Sequence, residues 1–251
     1  MEFHIIVPIF ENSISWYGDL VSGSSISSIL EIIYNNAKQS GALSVIVATD
    51  NRIISDEAKK AQLKVCLIDK DEIAVTEKVA EVVDTLELDE SEIVVCIDAE
   101  NFLVSPKLIS SVVNDLEEHA NLKVASCCEP ILKVSDMQNH TAVKVVLNKR
   151  QHAVYFSRSP IPFDHKKFLE NGDVALYRGQ CFRHVGIYAF RVGFLRMYME
   201  WAPCVLEKIE MLEQLRILYN GARIHMRILD KPLPRRVKSL EGFNRLATVV
   251  S

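Results

Sequence analysis

Long apolar runs are missing from this chain. No stretch approaches the 18 uncharged hydrophobic residues, roughly, that would mark a transmembrane helix. The opening Met1-Glu2-Phe3-His4 has no basic run ahead of an apolar one, so no secretory signal is expected and the protein reads as cytoplasmic. Positive charge is short as well: 29 Lys+Arg stand against 33 Asp+Glu, a formal net charge of −4. That balance gives no general pull toward nucleic acid or an acidic membrane, although a local basic cleft remains compatible with it. Low-complexity linkers and repeats longer than one strand-helix unit are absent. Zinc-ligand spacing is absent too, since Cys127 and Cys128 are adjacent and no His sits at ligand distance from them. Cys66, Cys96, Cys127 and Cys128 lie in or beside apolar runs and read as small core hydrophobes, not a disulfide framework. Cys181 and Cys204 stand alone, and no cysteine is assigned a metal or redox role.

What is present is ordinary globular material, 49% hydrophobic and 25% charged over 251 residues. That length holds one large α/β domain, or two sharing a core. Short β-branched runs at 3–8, 43–49, 63–68 and 92–97 are each followed by helical spacing. Ile26, Ile29, Leu30 and Ile33 form one apolar stripe, and Val79, Val82, Val83 and Leu86 another. Apolar strands alternating with amphipathic helices predict a parallel sheet covered on both faces, with ligands beyond the carboxyl ends of its strands. Strands are also expected at 122–128, 142–147, 153–156, 185–190 and 224–229, with a turn-rich stretch at 171–180. Residues 207–218 predict one amphipathic helix with Ile209, Leu212, Leu215 and Ile217 inward, and 240–250 a closing helix.

Several segments of the second half carry a family pattern. They are Val143-Lys144-Val145-Val146-Leu147, Tyr155-Phe156-Ser157-Arg158 with Ile161-Pro162, Arg183-His184-Val185-Gly186-Ile187-Tyr188, and the run from Glu207 to Arg216. Together they resemble the CMP-Kdo synthetases (3-deoxy-manno-octulosonate cytidylyltransferases), and the resemblance extends over nearly the whole chain. It implies an α/β fold of the nucleotidyltransferase (nucleotide-diphospho-sugar transferase) type, with a mostly parallel sheet, helices on both faces and a smaller sugar-binding and dimerisation lobe. Within a single domain of 1–251 it implies a nucleotide-binding half at 1–130, the sugar and dimer lobe at 131–230, and a return to the sheet at 231–251. The implied reaction couples CTP to the acid sugar Kdo with release of pyrophosphate. Such a transfer rests on cations around the triphosphate and on Mg²⁺ held by carboxylates.

The resemblance also shows where this chain departs. The family's first loop runs Pro-Ala-Arg, then Ser-x-Arg-Leu-Pro-Gly-Lys. Here Pro8, Ser13 and Gly18 stay in register, but Phe10 and Ser15 hold the arginine positions and Asp19 the lysine position. A unit-charge pair about 4 Å apart is worth about 4 kcal/mol at an effective dielectric of about 20. Exchanging Lys for Asp19 therefore swings the local interaction by roughly twice that before salt screening. The loop is accordingly expected to be structural, with packed Phe10 and Trp16. The second motif, Asp-His-x-Ser-Gly-Thr-Glu-Arg, keeps Asp71, Thr76 and Glu77, with Ala74-Val75 in place of Ser-Gly and Lys78 in place of Arg. Thr76 and Glu77 serve equally as a helix N-cap and a first-turn acid. In the third motif Glu100 falls on a metal-ligand aspartate and Asp98 replaces a glutamine, while Lys238 occupies the second metal-aspartate position.

The sugar-binding positions implied by the resemblance are Arg158, His184, Tyr188, Glu213 and Gln214, a set able to hold an acid sugar's carboxylate and hydroxyls. The expected nucleotide positions are Pro8, Ser13, Gly18, Asp71, Thr76 and Glu77. The one expected metal position is Glu100, with Mg²⁺ the cofactor of an active enzyme. No residue is assigned a catalytic role. The resulting expectation is a diverged paralogue with weak or absent synthetase activity that keeps the dimer lobe and the acid-sugar pocket, either as a homodimer or in a heteromer with an active synthetase. Nucleic acid and membrane are not expected partners. The second reading is an active cytidylyltransferase whose nucleotide site, including CTP contacts, has been rebuilt around Asp19, Glu100 and Lys238, with Arg235 and Arg236 nearby in sequence.

Overall fold

The computed structural model describes residues 2–11, 26–68, 74–98, 101, 104–167, 179–233 and 241. Among these the strands are β1 (Phe3–Ile9), β2 (Ser44–Thr49), β3 (Lys64–Leu67), β4 (Ile93–Ile97), β5 (Val124–Pro130), β6 (Lys144–Leu147), β7 (Ala153–Ser157), β8 (Phe182–Arg191) and β9 (Ile224–Ile228). The helices are α1 (Ile26–Lys38), α2 (Arg52–Lys60), α3 (Val75–Thr85), α4 (Pro106–Glu118), α5 (Val134–Gln138), α6 (Val192–Met199), α7 (Val205–Glu210) and α8 (Gln214–Tyr219). The chain forms two compact units: residues 1–114, 187–199 and 234–251, and residues 115–186 and 200–233.

The first unit is built on four parallel strands in the order β3-β2-β1-β4. Residues 187–191 of β8 run antiparallel against β4. All of β2 and all of β1 except His4 are buried, as β-branched strands covered on both faces must be. His4 is satisfied locally, with Nδ1 2.7 Å from Ser44 Oγ and Nε2 3.1 Å from Glu92 Oε1. At the edge, β3 leaves Lys64 and Leu67 exposed, so it is shorter and wetter than its apolar run predicts. The α1 stripe of Ile26, Ile29, Leu30 and Ile33 is buried as its spacing predicts. In α3, Val79, Val82 and Val83 are buried, but Leu86 is 39% exposed because it lies past the last helical turn, at the C-cap.

In the second unit β5 and β9 pair in parallel, while β6 and β7 form an antiparallel hairpin. β6 also pairs the start of β8, with Lys144 opposite Arg183. The single helix expected at 207–218 is two short ones, α7 and α8, separated by Met211 at φ 53° and ψ 51°. The cause is a buried ion pair. Arg216 Nε and Nη2 donate to the Glu207 carboxylate at 2.8 and 2.6 Å, and Arg216 Nη1 donates to Trp201 O. Glu207 also accepts the Cys204 N–H, which caps α7. Closing this pair folds the chain back on itself and leaves Ile209 74% exposed, not inward.

Cys127 and Cys128 are buried and Cys66 and Cys96 half-buried, and all six cysteines are free thiols. Burial pushes the Cys128 thiol up to about 12 and Cys127 higher still, so neither is a nucleophile at neutral pH. No helix among the described residues is long and apolar enough to cross a membrane. The closing helix expected at 240–250 lies outside the described residues except for Glu241, and so does most of the turn-rich stretch at 171–180.

Candidate functional site

In the order β3-β2-β1-β4 the winding direction reverses between β1 and β4, and the loops beyond their carboxyl ends mark the ligand crevice of an open α/β sheet. Pro8 lies in that end of β1, buried and opposite Ala48 of β2. Phe10 follows with no exposed surface, packed as expected of that residue. Lys78, on the buried face of α3, is only 3% exposed. Its Nζ donates to Asp50 Oδ2 at 3.0 Å and lies 4.3 Å from the centre of the Phe10 ring. The ammonium is therefore neutralised by a carboxylate and covered by an aromatic face. Asp50 sits just past β2, where the Asn51 side chain caps α2 through Ile53 N at 2.8 Å and Ile54 N at 3.3 Å. Arg52, the first residue of α2, is an exposed cation at the same end.

The second motif opens α3. Its N-cap is Ala74, which has no side-chain acceptor, so Thr76 is not the cap. Glu77 supplies the return arm, accepting the Ala74 N–H at 2.7 Å, and fills the first-turn acid role expected of it. Asp98 is half-buried at the end of β4, where its carbonyl accepts the Asn101 N–H at 2.7 Å. Ser13, Trp16, Gly18, Asp19, Asp71, Glu100, Arg235, Arg236 and Lys238 lie outside the described residues. No group of three metal-ligating side chains stands together among the described residues. Glu100 and Lys238, the two metal positions of the family pattern, both lie outside those residues.

Of the five sugar positions, Arg158, His184, Glu213 and Gln214 belong to the second unit and Tyr188 to the first. Arg158 is joined to the Met211 corner: Nε donates to Glu210 O at 2.7 Å, Nη2 to Met211 O at 3.2 Å and Nη1 to His140 O at 3.3 Å. A guanidinium here satisfies the open carbonyls at the C-terminal end of α7, and two of its N–H donors are not taken up by any described residue. Glu213 and Gln214, both half-buried, begin α8 just beyond that corner. His184 is buried, with Nε2 3.0 Å from Ser126 Oγ and its ring edge-on to Phe156. Tyr188 is half-buried and stacked on Phe190 at 5.5 Å.

Two residues outside the sequence-predicted set hold this arrangement. Glu210 accepts Ser157 Oγ at 2.6 Å and the Arg158 N–H at 2.9 Å. Lys144, fully buried, donates to Asn139 O at 2.9 Å, to Ala142 O at 2.7 Å and to Arg158 O. Burial lowers its amine to about 8. A charged residue in the middle of an apolar strand run was the available signal for Lys144, since a buried ammonium needs a full set of acceptors.

Residues 27–227 match the family model described as Cytidylyltransferase. The chain is 39% identical to the 3-deoxy-manno-octulosonate cytidylyltransferase of Coxiella burnetii (strain Dugway 5J108-111) over 246 residues, 98% of each chain. The chain belongs to the CMP-Kdo synthetase family. To the 3-deoxy-manno-octulosonate cytidylyltransferase of Haemophilus influenzae (strain ATCC 51907 / DSM 11121 / KW20 / Rd) it is 35% identical over 253 residues, 100% of this chain and 99% of that one. A solved CMP:2-keto-3-deoxy-manno-octonic acid synthetase complexed with CTP superposes with a TM-score of 0.82 at 25% identity, covering 100% of this chain and 98% of that one. The nucleotidyltransferase-type α/β fold implied by the sequence resemblance is thus the fold of this cytidylyltransferase.

Proposed function

We propose that this cytidylyltransferase keeps an acid-sugar site but holds a nucleoside triphosphate weakly, and so makes CMP-Kdo slowly or not at all. The names of its relatives support CTP-dependent coupling of Kdo as the ancestral reaction. The observation that carries the loss is Lys78, whose ammonium is bound to Asp50 and stacked on Phe10, the residue at the first-loop arginine position. A buried cation already neutralised by a carboxylate has little attraction left for a phosphate. Losses of single charge-stabilising groups typically cost a few kcal/mol of transition-state stabilisation, and here several fall together. The remaining N–H donors of Arg158, with Glu213 and Gln214 beside them, support the acid-sugar site, while His184 is placed to buttress it from within.

The same reading includes a homodimer through the apolar surface of α7, where Val205, Ile209 and Met211 are 65%, 74% and 75% exposed. The deciding experiment is pyrophosphate release from purified protein with CTP, Mg²⁺ and Kdo, paired with calorimetry for CTP and Kdo separately. Kdo binding with weak or no CTP binding and little turnover is expected. Turnover at ordinary enzyme rates would overturn the proposal and favour a rebuilt nucleotide site.

A further inference from the structure

Three histidines far apart in sequence meet on one side of the second unit. His225, on β9, has its ring centre 6.0 Å from that of His119, at the end of α4, and 6.1 Å from that of His152, beside β7. His152 and His225 are direct partners in an antiparallel bridge, and the Met226 N–H donates to Gln151 O at 2.8 Å, fixing the hairpin turn against β9. Asp115, His119, Gln151, His225, Arg227 and Ile228 line a cavity of about 320 Å³. That lies near the lower end of small-ligand sites, with room for an oxyanion and its waters.

The charge around this cavity is one-sided. From α4 come Asp115 and His119, from the β6–β7 turn Arg150 and His152, and from β9 and the turn before it Arg223, His225 and Arg227. The carboxylate in the lining, Asp115, is clamped by Arg227, whose Nε and Nη2 donate to its two oxygens at 2.8 and 2.5 Å, and it lies 3.8 Å from His225 Nε2. The Arg227–Asp115 pair cancels its own charge, which leaves Arg150 and Arg223, acting on His152, as the cations beside this cluster in a chain whose net charge is −4. A divalent metal ion would enter against that positive field, and the described residues hold no metal-binding group.

We propose that His119, His152 and His225, with the guanidinium groups of Arg150 and Arg223 on the His152 side, form a proton-linked site for a small multivalent oxyanion of the phosphate or sulfate type. Burial, followed for His152 by Arg223 and Arg150, lowers the proton affinity of His152 and His225; for His225, Asp115 opposes the shift. An entering anion reverses that bias and draws protons onto the imidazoles, so binding strengthens as pH falls. No residue of the proposed nucleotide or sugar site takes part, and the two proposals stand or fall separately.

Sulfate tests this without titrating itself between pH 6 and 8. Calorimetry on the full chain at pH 8, 7 and 6 should show affinity rising about three- to tenfold per unit of pH lowered. His119→Gln, at an exposed position, and His152→Gln should each weaken binding at pH 6 several-fold and flatten the pH dependence, with thermal melts confirming the fold. Imidazole NMR titrations should show two or more histidine midpoints moving up with sulfate and with inorganic phosphate. Sulfate affinity that is the same at pH 6 and pH 8, or unchanged in both variants, would overturn the proposal. So would Zn²⁺ binding that is lost in both variants while sulfate binding is not.

Discussion

Lys78, which stands at the arginine position of the second motif, is here an internal strut. Its ammonium is 3% exposed while the Asp50 side chain is 20% exposed, so the two halves of the pair depend on each other unequally. Removing the carboxylate strands a buried cation, whereas removing the ammonium leaves an aspartate that water still reaches. Asp50→Ala should therefore cost about 3–4 kcal/mol in urea denaturation and Lys78→Met about 1 kcal/mol. The double variant should recover much of the Asp50→Ala loss. Equal losses from the two single variants would show that Lys78 is solvated and its charge available, which would also weaken the case against nucleotide binding. None of this was legible from position alone. The motif placed Lys78 at an arginine position, but the partner that neutralises it is 28 residues away and appears only when β2 and α3 come together.

Elements built from short-range signals were legible, and those built from long-range pairing were not. The β-branched runs marked β1, β2 and β4 to within a residue or two, because a parallel strand buried on both faces is apolar along most of its length. The periodicity at 207–218 failed for a definite reason. It carries no Gly or Pro to mark a break, and the turn is imposed by the buried Glu207–Arg216 pair nine residues apart. The left-handed conformation of Met211 is the local cost, about 1 kcal/mol or more for a side chain with a Cβ. Met211→Gly should thus raise stability by about 0.5–1 kcal/mol, and Met211→Val should lower it by at least about 1 kcal/mol, since a branched Cβ crowds that conformation further. Thermal melts of the two variants check the sign. If both are neutral, the corner is relaxed and the ion pair is not its cause.

At the scale of the molecule, the fold class followed from alternating strands and helices, and the family followed from motifs in the second half. The state of the site did not follow, because its determinants are contacts: Lys144 and Glu210 fasten Arg158, and Asp50 holds Lys78. The proposed assembly is likewise a matter of surface. Val205 and Ile209 are one helical turn apart on α7, on the same face, and Met211 extends that face past the helix end. Their exposures of 65%, 74% and 75% make an apolar strip on a helix whose Glu207 is turned inward and buried. A core role for this strip is excluded by its exposure, and the proposed homodimer would remove it from water. Ile209→Glu places a charge at its centre while touching nothing inside the unit, so its effect on monomer stability should stay within about 0.5 kcal/mol. In light scattering or sedimentation the parent chain should have the mass of a dimer and Ile209→Glu that of a monomer at the same concentration. A parent that is already monomeric, or a variant that stays dimeric, would place the assembly surface elsewhere and leave the α7 strip without that role.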